Sequence, residues 1–310
     1  MPDSLPRSHG PSVHRPNVTA RSMIPASAPR LGVSREAQHR QRNGYERTMG
    51  PISRRGVALA AAALCVAALT APARAGESTT VPASAALPAI PAYVARPAAA
   101  AARPAVLILH GCEGFNSRYA RIADQLASQG YVAVAIDTLR PRDVRNACGE
   151  RSGSRLEAAY ARATLDWMRG LPGIDGARLA VLGYSMGAIA VLDLSDPFHP
   201  AAPPPGVLAA VAYYPACRNR TAANLRVPLL ILIGDADDWT PAAPCLQLAA
   251  AGARLGRPMT IVPYPGATHA FNIDRPDRLA YGHRLQFDAA AASDAWRQSL
   301  TFLDRYLGAP

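Results

Sequence analysis

The chain has 310 residues, a formal net charge of +11 and 49% hydrophobic residues. The chain has no lysine, which excludes a lysine nucleophile or a Schiff-base mechanism. Residues 1–75 hold 11 of the 33 arginines but only 3 of the 22 acidic residues. Most of the excess charge therefore lies in the N-terminal quarter and does not indicate a nucleic-acid-binding surface.

The first 75 residues are predicted to be a leader that is not part of the folded domain. Residues 1–48 are polar and lack apolar periodicity, so we expect them to be disordered or to precede the true start at Met49. Residues 49–75 are predicted to be a signal peptide, because an apolar run from Val57 to Thr70 ends in an A-x-A site. Cleavage after Ala75 would give a periplasmic or secreted protein without stable membrane insertion. An uncleaved anchor is the alternative, although the run is shorter than the ~20 residues of a spanning helix.

The remaining chain has the pattern of one α/β domain. Residues 76–103 are rich in Ala and Pro and are predicted to be a lead-in linker, with an edge strand at 92–95. From residue 104 to 310, short runs of Val, Ile and Leu alternate with helical segments, which predicts a mostly parallel central sheet with helices on both faces. The predicted strands are 105–110, 131–136, 179–182, 208–213, 228–233 and 260–264. The predicted helices are 117–129, 154–169, 186–195, 242–255 and 286–307.

A candidate nucleophile stands between the strand at 179–182 and the helix that follows. The segment Gly183-Tyr184-Ser185-Met186-Gly187 places Ser185 between two glycines. Such a turn exposes the hydroxyl at the sheet edge and directs a helix N-terminus towards it. A serine in a simple turn would have the same local sequence, so the prediction needs a base and an acid elsewhere in the chain.

The acid and the base follow two later strands. After 228–233 come Asp235, Asp237 and Asp238, of which we favour Asp237 because Asp235 lies closer to the strand and Asp238 is expected to face solvent. After 260–264 comes His269, with His283 as the rival. The order Ser, Asp, His is that of α/β-hydrolases, and parallel strands bring such residues to one sheet edge.

An oxyanion hole is predicted beside Ser185. The strand at 105–110 runs into Gly111, and the backbone N–H of Cys112 is expected to act together with the N–H of Met186, the residue after the serine. Two such donors would stabilise the negative oxygen that develops during acyl transfer.

These motifs together resemble the dienelactone hydrolase family, a branch of the α/β-hydrolases. The resemblance covers roughly residues 90–307 and is carried by the segments 110–116, 137–142, 183–187 and 234–241. It implies an α/β-hydrolase fold and carboxylic ester hydrolysis, with the acid at Asp237 and the base at His269. The namesake enzymes use a cysteine where Ser185 stands and a glutamate near the oxyanion loop, close to Glu113. The serine favours a general ester hydrolase over a lactone-specific one.

Four cysteines remain after the leader, which carries Cys65. In an exported chain they suggest disulfides, and four cysteines allow three pairings. We expect Cys112–Cys148 and Cys217–Cys245, each closing a loop of roughly 30 residues. The alternative is that they are small buried apolar residues.

The substrate pocket is predicted from aromatic residues near the strand ends. Tyr213 or Tyr214, Trp239 and Phe271 are expected to line an apolar slot, with Glu113 close by. The loop from Arg140 to Ser154 is rich in arginine, and one of these could meet a substrate carboxylate. The arginines concerned are Arg140, Arg142, Arg145 and Arg151.

The sequence therefore predicts an exported serine hydrolase that cleaves carboxylic esters, with lactones as a less favoured class. A serine peptidase of the same fold and a non-catalytic binding protein are the alternatives. No cofactor or metal is expected, because the chain has no Cys-x-x-Cys or histidine cluster. The expected partner is a small ester molecule and not a nucleic acid.

Overall fold

A computed structural model describes residues 76–98, 101–149, 153–196 and 205–310. The predicted disordered segment 1–48 and the predicted signal peptide 49–75 lie outside the described residues. The strands of the described part are β1 (Glu77–Val81), β2 (Ile90–Ala95), β3 (Arg103–Leu109), β4 (Val132–Ile136), β5 (Ile174–Tyr184), β6 (Val207–Tyr213), β7 (Leu229–Gly234), β8 (Met259–Tyr264), β9 (Arg278–Ala280) and β10 (His283–Leu285). The helices are α1 (Ser117–Ser128), α2 (Gly153–Met168), α3 (Met186–Leu194), α4 (Ala242–Arg254) and α5 (Ala289–Leu307).

In the described part of the chain, eight strands form the central sheet, in the order β1-β2-β4-β3-β5-β6-β7-β8. The six strands from β4 to β8 in this order are parallel, whereas β1 and β2 pair antiparallel. Every residue of β4 and β7 is buried, as expected for parallel strands whose continuous apolar runs are covered on both faces. The predicted α/β-hydrolase fold is confirmed, and the ends of β5, β7 and β8 meet at one edge.

The lead-in segment, residues 76–103, was predicted to be a linker, but its described residues are part of the folded domain. It contains β1 and β2, and both belong to the central sheet. Residues 92–95 were expected at the edge, but β2 lies between β1 and β4, so β1 is the edge strand. Ile90, Ala92 and Val94 are buried at every second position of β2, so one face of this strand packs against the core.

The chain after β8 also differs from the prediction. No strand was predicted between residues 264 and 286, but this stretch holds the hairpin β9–β10, whose turn residues Tyr281 and Gly282 both have positive φ, as two-residue type I′ turns require. Helix α5 begins at Ala289, three residues later than predicted. The Asp288 side chain caps it by accepting a hydrogen bond from the Ala291 N–H at 2.9 Å.

Both predicted disulfides are present. Cys112–Cys148 joins the segment after β3 to the loop after β4, and Cys217–Cys245 joins the segment after β6 to α4. Two disulfides indicate a non-cytoplasmic, oxidising location. Among the described helices, none is long and apolar enough to cross a bilayer.

Candidate active site

Ser185 sits on a strained turn between β5 and α3. Its φ and ψ are 51° and −110°, a region that L-residues rarely occupy, and its N–H donates to the Tyr213 carbonyl at 3.0 Å. The flanking glycines are needed for space. A Cβ on Gly183 would lie 2.3 Å from the Gly187 oxygen, and one on Gly187 would lie 2.6 Å from the His110 oxygen. The turn can therefore form only because Gly183 and Gly187 have no side chain.

The structure brings the predicted acid and base to this serine. His269 Nε2 lies 3.0 Å from Ser185 Oγ, and His269 Nδ1 lies 2.8 Å from Asp237 Oδ2. A carboxylate only accepts hydrogen bonds, so Nδ1 carries the proton and the Nε2 lone pair faces the serine hydroxyl. The imidazole and the carboxylate are almost completely buried, which keeps water from competing for these contacts.

Asp237 is held by the turn that follows β7. Its Oδ1 accepts from the backbone N–H groups of Trp239 and Thr240 at 2.9 and 2.8 Å. The Thr240 hydroxyl lies 2.9 Å from Oδ2 and 3.1 Å from His269 Nδ1. Thr240 was not among the site residues predicted from the sequence. Thr240 lies three residues after Asp237. Short polar residues at this spacing often form hydrogen bonds within a turn, and this is the signal that could have found it.

The rival acids and the rival histidine lie elsewhere. Asp235 accepts from the Gly266 N–H at 2.6 Å and so tethers the turn after β8. Asp238 lies on the exposed rim, 3.4 Å from His283 Nδ1, and His283 stacks on Trp239 with 4.8 Å between ring centroids. Neither Asp238 nor His283 contacts Ser185 in the described hydrogen-bond network.

The peptide at Gly111 and Cys112 has almost all its polar groups engaged. The Gly111 N–H donates to the Tyr119 hydroxyl at 2.7 Å, and the Gly111 oxygen accepts from the Gly114 N–H at 3.0 Å. The Cys112 oxygen accepts from the Ala147 N–H at 2.9 Å. Within the described residues the Cys112 N–H has no such partner. Met186 begins α3, so its N–H has no partner in the helix either.

His110 helps to orient that peptide. The Thr138 N–H donates to His110 Nε2 at 3.1 Å, so the ring proton lies on Nδ1, which is 2.7 Å from the Gly111 oxygen. Complete burial lowers the pKa of His110, which favours the neutral ring. The contact fixes the plane of the peptide that carries the Cys112 N–H. Neither His110 nor Tyr119 was predicted to have this role, because their partners lie on other segments.

A narrow cleft opens over Ser185. It has a volume of about 40 Å³, and aromatic rings form much of its wall. The predicted Glu113, Tyr214 and Trp239 line it, but Phe271 does not. Phe271 is fully buried and packs against Tyr213, Tyr214 and Tyr264, so it is a core residue. The cleft is lined by Gly111, Cys112, Glu113, Arg118, Tyr119, Tyr184, Ser185, Tyr214, Trp239, His269, Ala270, Ile273, Arg278 and Leu285.

The arginines at the cleft are not those that the sequence suggested. None of the described arginines in the loop after β4 lines it, and Arg151 lies outside the described residues. Arg278 reaches the rim and forms an ion pair with Glu113 at 2.8 Å. Arg118 donates to the Tyr119 hydroxyl at 2.7 Å and lies over the Tyr119 ring. Its place just after the segment 110–116, which follows β3, is the signal that could have found it.

Comparison with known proteins agrees with this fold. The sequence profile of the dienelactone hydrolase family matches residues 90–307. A protein of Methylorubrum extorquens, provisionally named a carboxymethylenebutenolidase, is 28% identical over 70% of this chain and 77% of its own length. Cutinase 1 of Thermobifida cellulosilytica is 32% identical over 45% of this chain and 50% of its own.

Solved structures of other proteins share this fold. A dienelactone hydrolase-like promiscuous phosphotriesterase from metagenomic libraries superposes with a TM-score of 0.62 at 19% identity. The match covers 76% of this chain and 100% of that one, and at this identity it supports the fold alone. The fold and the family match together define a carboxylic ester hydrolase. The chain belongs to the dienelactone hydrolase family.

Proposed function

We propose that this chain is an exported serine hydrolase that cleaves small carboxylic esters through an acyl-enzyme on Ser185. The observation that carries the proposal is the position of the His269 ring. It bridges Ser185 Oγ at 3.0 Å and Asp237 Oδ2 at 2.8 Å. This is the geometry that a general base needs to take a proton from a hydroxyl nucleophile.

The chemistry follows from these contacts. As Ser185 Oγ attacks the ester carbonyl carbon, His269 Nε2 takes the hydroxyl proton, and Asp237 stabilises the imidazolium that forms. The carbonyl oxygen becomes negative and accepts from the N–H groups of Cys112 and Met186. When the tetrahedral intermediate collapses, the imidazolium gives its proton to the departing alcohol. Water then attacks the acyl-enzyme with the same assistance and releases the acid.

The cleft supports small, partly apolar esters as substrates. Tyr184 and Tyr214 line the cleft. Burial raises the pKa of both side chains well above the usual value, so both phenol groups stay neutral at ordinary pH. Relatives of the chain include a protein of Bradyrhizobium named as a lactonase and a cutinase of Thermobifida cellulosilytica. We therefore expect simple esters to be cleaved and place lactones second. Among the described residues that line the cleft, we find no contact that favours a peptidase or a non-catalytic binding protein over an esterase.

Export is supported by the disulfides and by the leader sequence. Both disulfides need an oxidising compartment to form and persist. The apolar run and the A-x-A site that precede Gly76 have the pattern of a signal peptide. We propose that the protein acts in the periplasm or outside the cell.

The test is ester turnover together with covalent labelling of the serine. With a p-nitrophenyl ester, we expect a burst of nitrophenol, and an organophosphonate should modify Ser185. Ser185→Ala and His269→Ala should each lower kcat by about 10⁴-fold or more, and Asp237→Asn should lower it nearly as much.

Asp238→Asn is the matched control, because its carboxylate lies on the exposed rim next to His283. It should keep kcat within about 3-fold of the wild-type value, the scale of surface changes outside the site. Full activity in Ser185→Ala would end the proposal. Loss in Asp238→Asn with full activity in Asp237→Asn would move the acid to the neighbouring carboxylate.

A further inference from the structure

The loop between β4 and α2 contacts both residues of the proposed oxyanion hole. Cys148 of this loop is bonded to Cys112, and the neighbouring Ala147 N–H donates to the Cys112 oxygen at 2.9 Å. Leu139 and Ala147 form a small buried apolar cluster with Met186, and Cys112 packs against it. One loop thus reaches Cys112 through a covalent bond and Met186 through packing.

Neither Cys112 nor Cys148 lies in one of the described strands, so β-sheet pairing fixes neither end of the disulfide. The segment from His110 to Asn116 connects β3 to α1, and the described residues of the loop after β4, up to 149, contain only a single 3-10 turn at Arg140–Arg142. Irregular segments of this kind are the parts of a fold that open at low free-energy cost. Without the disulfide, the Cys112 backbone would be tied to the loop by one hydrogen bond and by apolar packing.

We infer that the Cys112–Cys148 disulfide is a positioning element of the oxyanion hole. It holds the backbone at Cys112 so that the N–H of this residue points to where the negative oxygen develops. The inference rests on the proposed function, because it concerns the transition state of that reaction. A displacement of about 1 Å at a reacting centre can reduce the rate by about 10²-fold, so a loosened loop would affect catalysis before it affects the fold.

The second disulfide of the chain provides a matched control. Cys217 and Cys245 are both buried, and they join the segment after β6 to α4. Neither residue lines the cleft over Ser185. The Cys217–Cys245 bridge closes a loop of similar length, with a sequence separation of 28 against 36. The two bridges should therefore stabilise the fold to a similar degree and differ in their effect on catalysis.

The experiment compares Cys112→Ala/Cys148→Ala with Cys217→Ala/Cys245→Ala, each assayed well below its melting temperature. We expect the first variant to lose about 10- to 100-fold in kcat, with KM within about 3-fold of the wild-type value. The inhibition constant of a phenylboronic acid, which forms a tetrahedral adduct with the serine, should rise by a similar factor. The second variant should lose thermal stability but keep kcat and the inhibition constant within about 3-fold.

Reduction of the wild-type protein gives an independent test if a variant does not fold. Cys112 and Cys148 are partly exposed, whereas the other pair is buried, so a water-soluble phosphine should reduce the first bridge sooner. The phosphine is oxidised to its oxide with oxygen from water, and the disulfide gains two electrons and two protons to give two thiols. The loss of kcat should follow the appearance of thiols at Cys112 and Cys148, as mapped by alkylation and mass spectrometry.

Two outcomes would overturn the inference. One is unchanged kcat after the Cys112–Cys148 bridge is removed or reduced. The other is an equal loss of kcat in the two double variants, which would show a general effect of stability. Both differ from failure of the proposed function, in which Ser185→Ala would remain active.

Discussion

Glu157 of α2 is buried next to His110, at the end of β3. Both of its carboxyl oxygens lack a hydrogen-bond partner in the described part of the chain, and Oε1 lies 3.7 Å from His110 Nδ1. Burial raises the pKa of Glu157 well above its usual value. Because His110 already donates its Nδ1 proton towards the Gly111 oxygen, we assign this pair as a neutral carboxylic acid beside a neutral imidazole.

This assignment predicts a pH dependence of stability. The pKa of Glu157 in the folded protein exceeds its value in the unfolded chain. Its contribution to stability is therefore fully present below the unfolded pKa and is lost as the pH rises through the folded pKa. Glu157→Gln stays neutral at every pH, so its unfolding free energy relative to the wild type should be larger at about pH 8.5 than at about pH 5.

Urea denaturation at the two pH values measures this difference. Glu77→Gln is the control, because Glu77 is an exposed residue of the edge strand β1. It should show a similar difference from the wild type at both pH values. A Glu157→Gln variant whose relative stability does not change with pH would contradict the neutral assignment.

The sequence could predict which side chains meet at the site but not the contacts that orient them. Ser185, Asp237 and His269 each follow a strand, and parallel strands end at one edge, so their meeting could be predicted. Their catalytic roles remain a proposal. The contact between His110 and Thr138 joins segments 28 residues apart and leaves no local pattern. Phe271 was placed in the cleft because it lies near His269, but its side chain packs into the core.

At the level of elements, the junction of β5 and α3 is built on close backbone contact. A Cβ on Gly187 would lie 2.6 Å from the backbone oxygens of Leu109 and His110. These atoms belong to β3 and its end, so they cannot move aside as a flexible side chain would. The start of α3 is thereby fixed against the neighbouring strand.

Gly187→Ala should therefore be strongly destabilising. We expect a loss of about 2–4 kcal/mol in unfolding free energy, together with a fall in kcat because the Met186 N–H would shift. Gly170→Ala is the control, since its added Cβ would meet its nearest neighbour, the Trp167 oxygen, at an ordinary 3.7 Å. Thermal denaturation and ester kinetics measure both effects. Equal melting temperatures for the two variants would show that the junction can relax.

The long parallel strands could be predicted, and the short antiparallel ones could not. Buried runs such as Leu229–Gly234 are apolar throughout and carry a strong signal. In contrast, β1 buries only Val81, and β9 and β10 have three residues each. The pairing of such strands depends on their partners, so their own composition says little.

At the scale of the whole molecule, the backbone N–H of Gly76 is tied to Asp124 of α1. The Gly76 N–H lies 3.3 Å from Asp124 Oδ1, and the same carboxylate accepts from the Tyr93 hydroxyl at 2.9 Å. We predict that export removes residues up to Ala75, so that the Gly76 nitrogen becomes an ammonium beside this carboxylate. Intact-mass measurement of the exported, unreduced protein should give the mass of residues 76–310 with two disulfides. A mass that includes residues 49–75 would indicate the uncleaved anchor.

The two disulfides join cysteines that are consecutive in the mature chain, Cys112 to Cys148 and Cys217 to Cys245. If export threads the unfolded chain through the membrane from its N-terminus, Cys148 emerges before Cys217. An oxidase that couples thiols in their order of arrival would therefore generate both native bonds directly. Maturation of this protein should then need an oxidase but no disulfide isomerase.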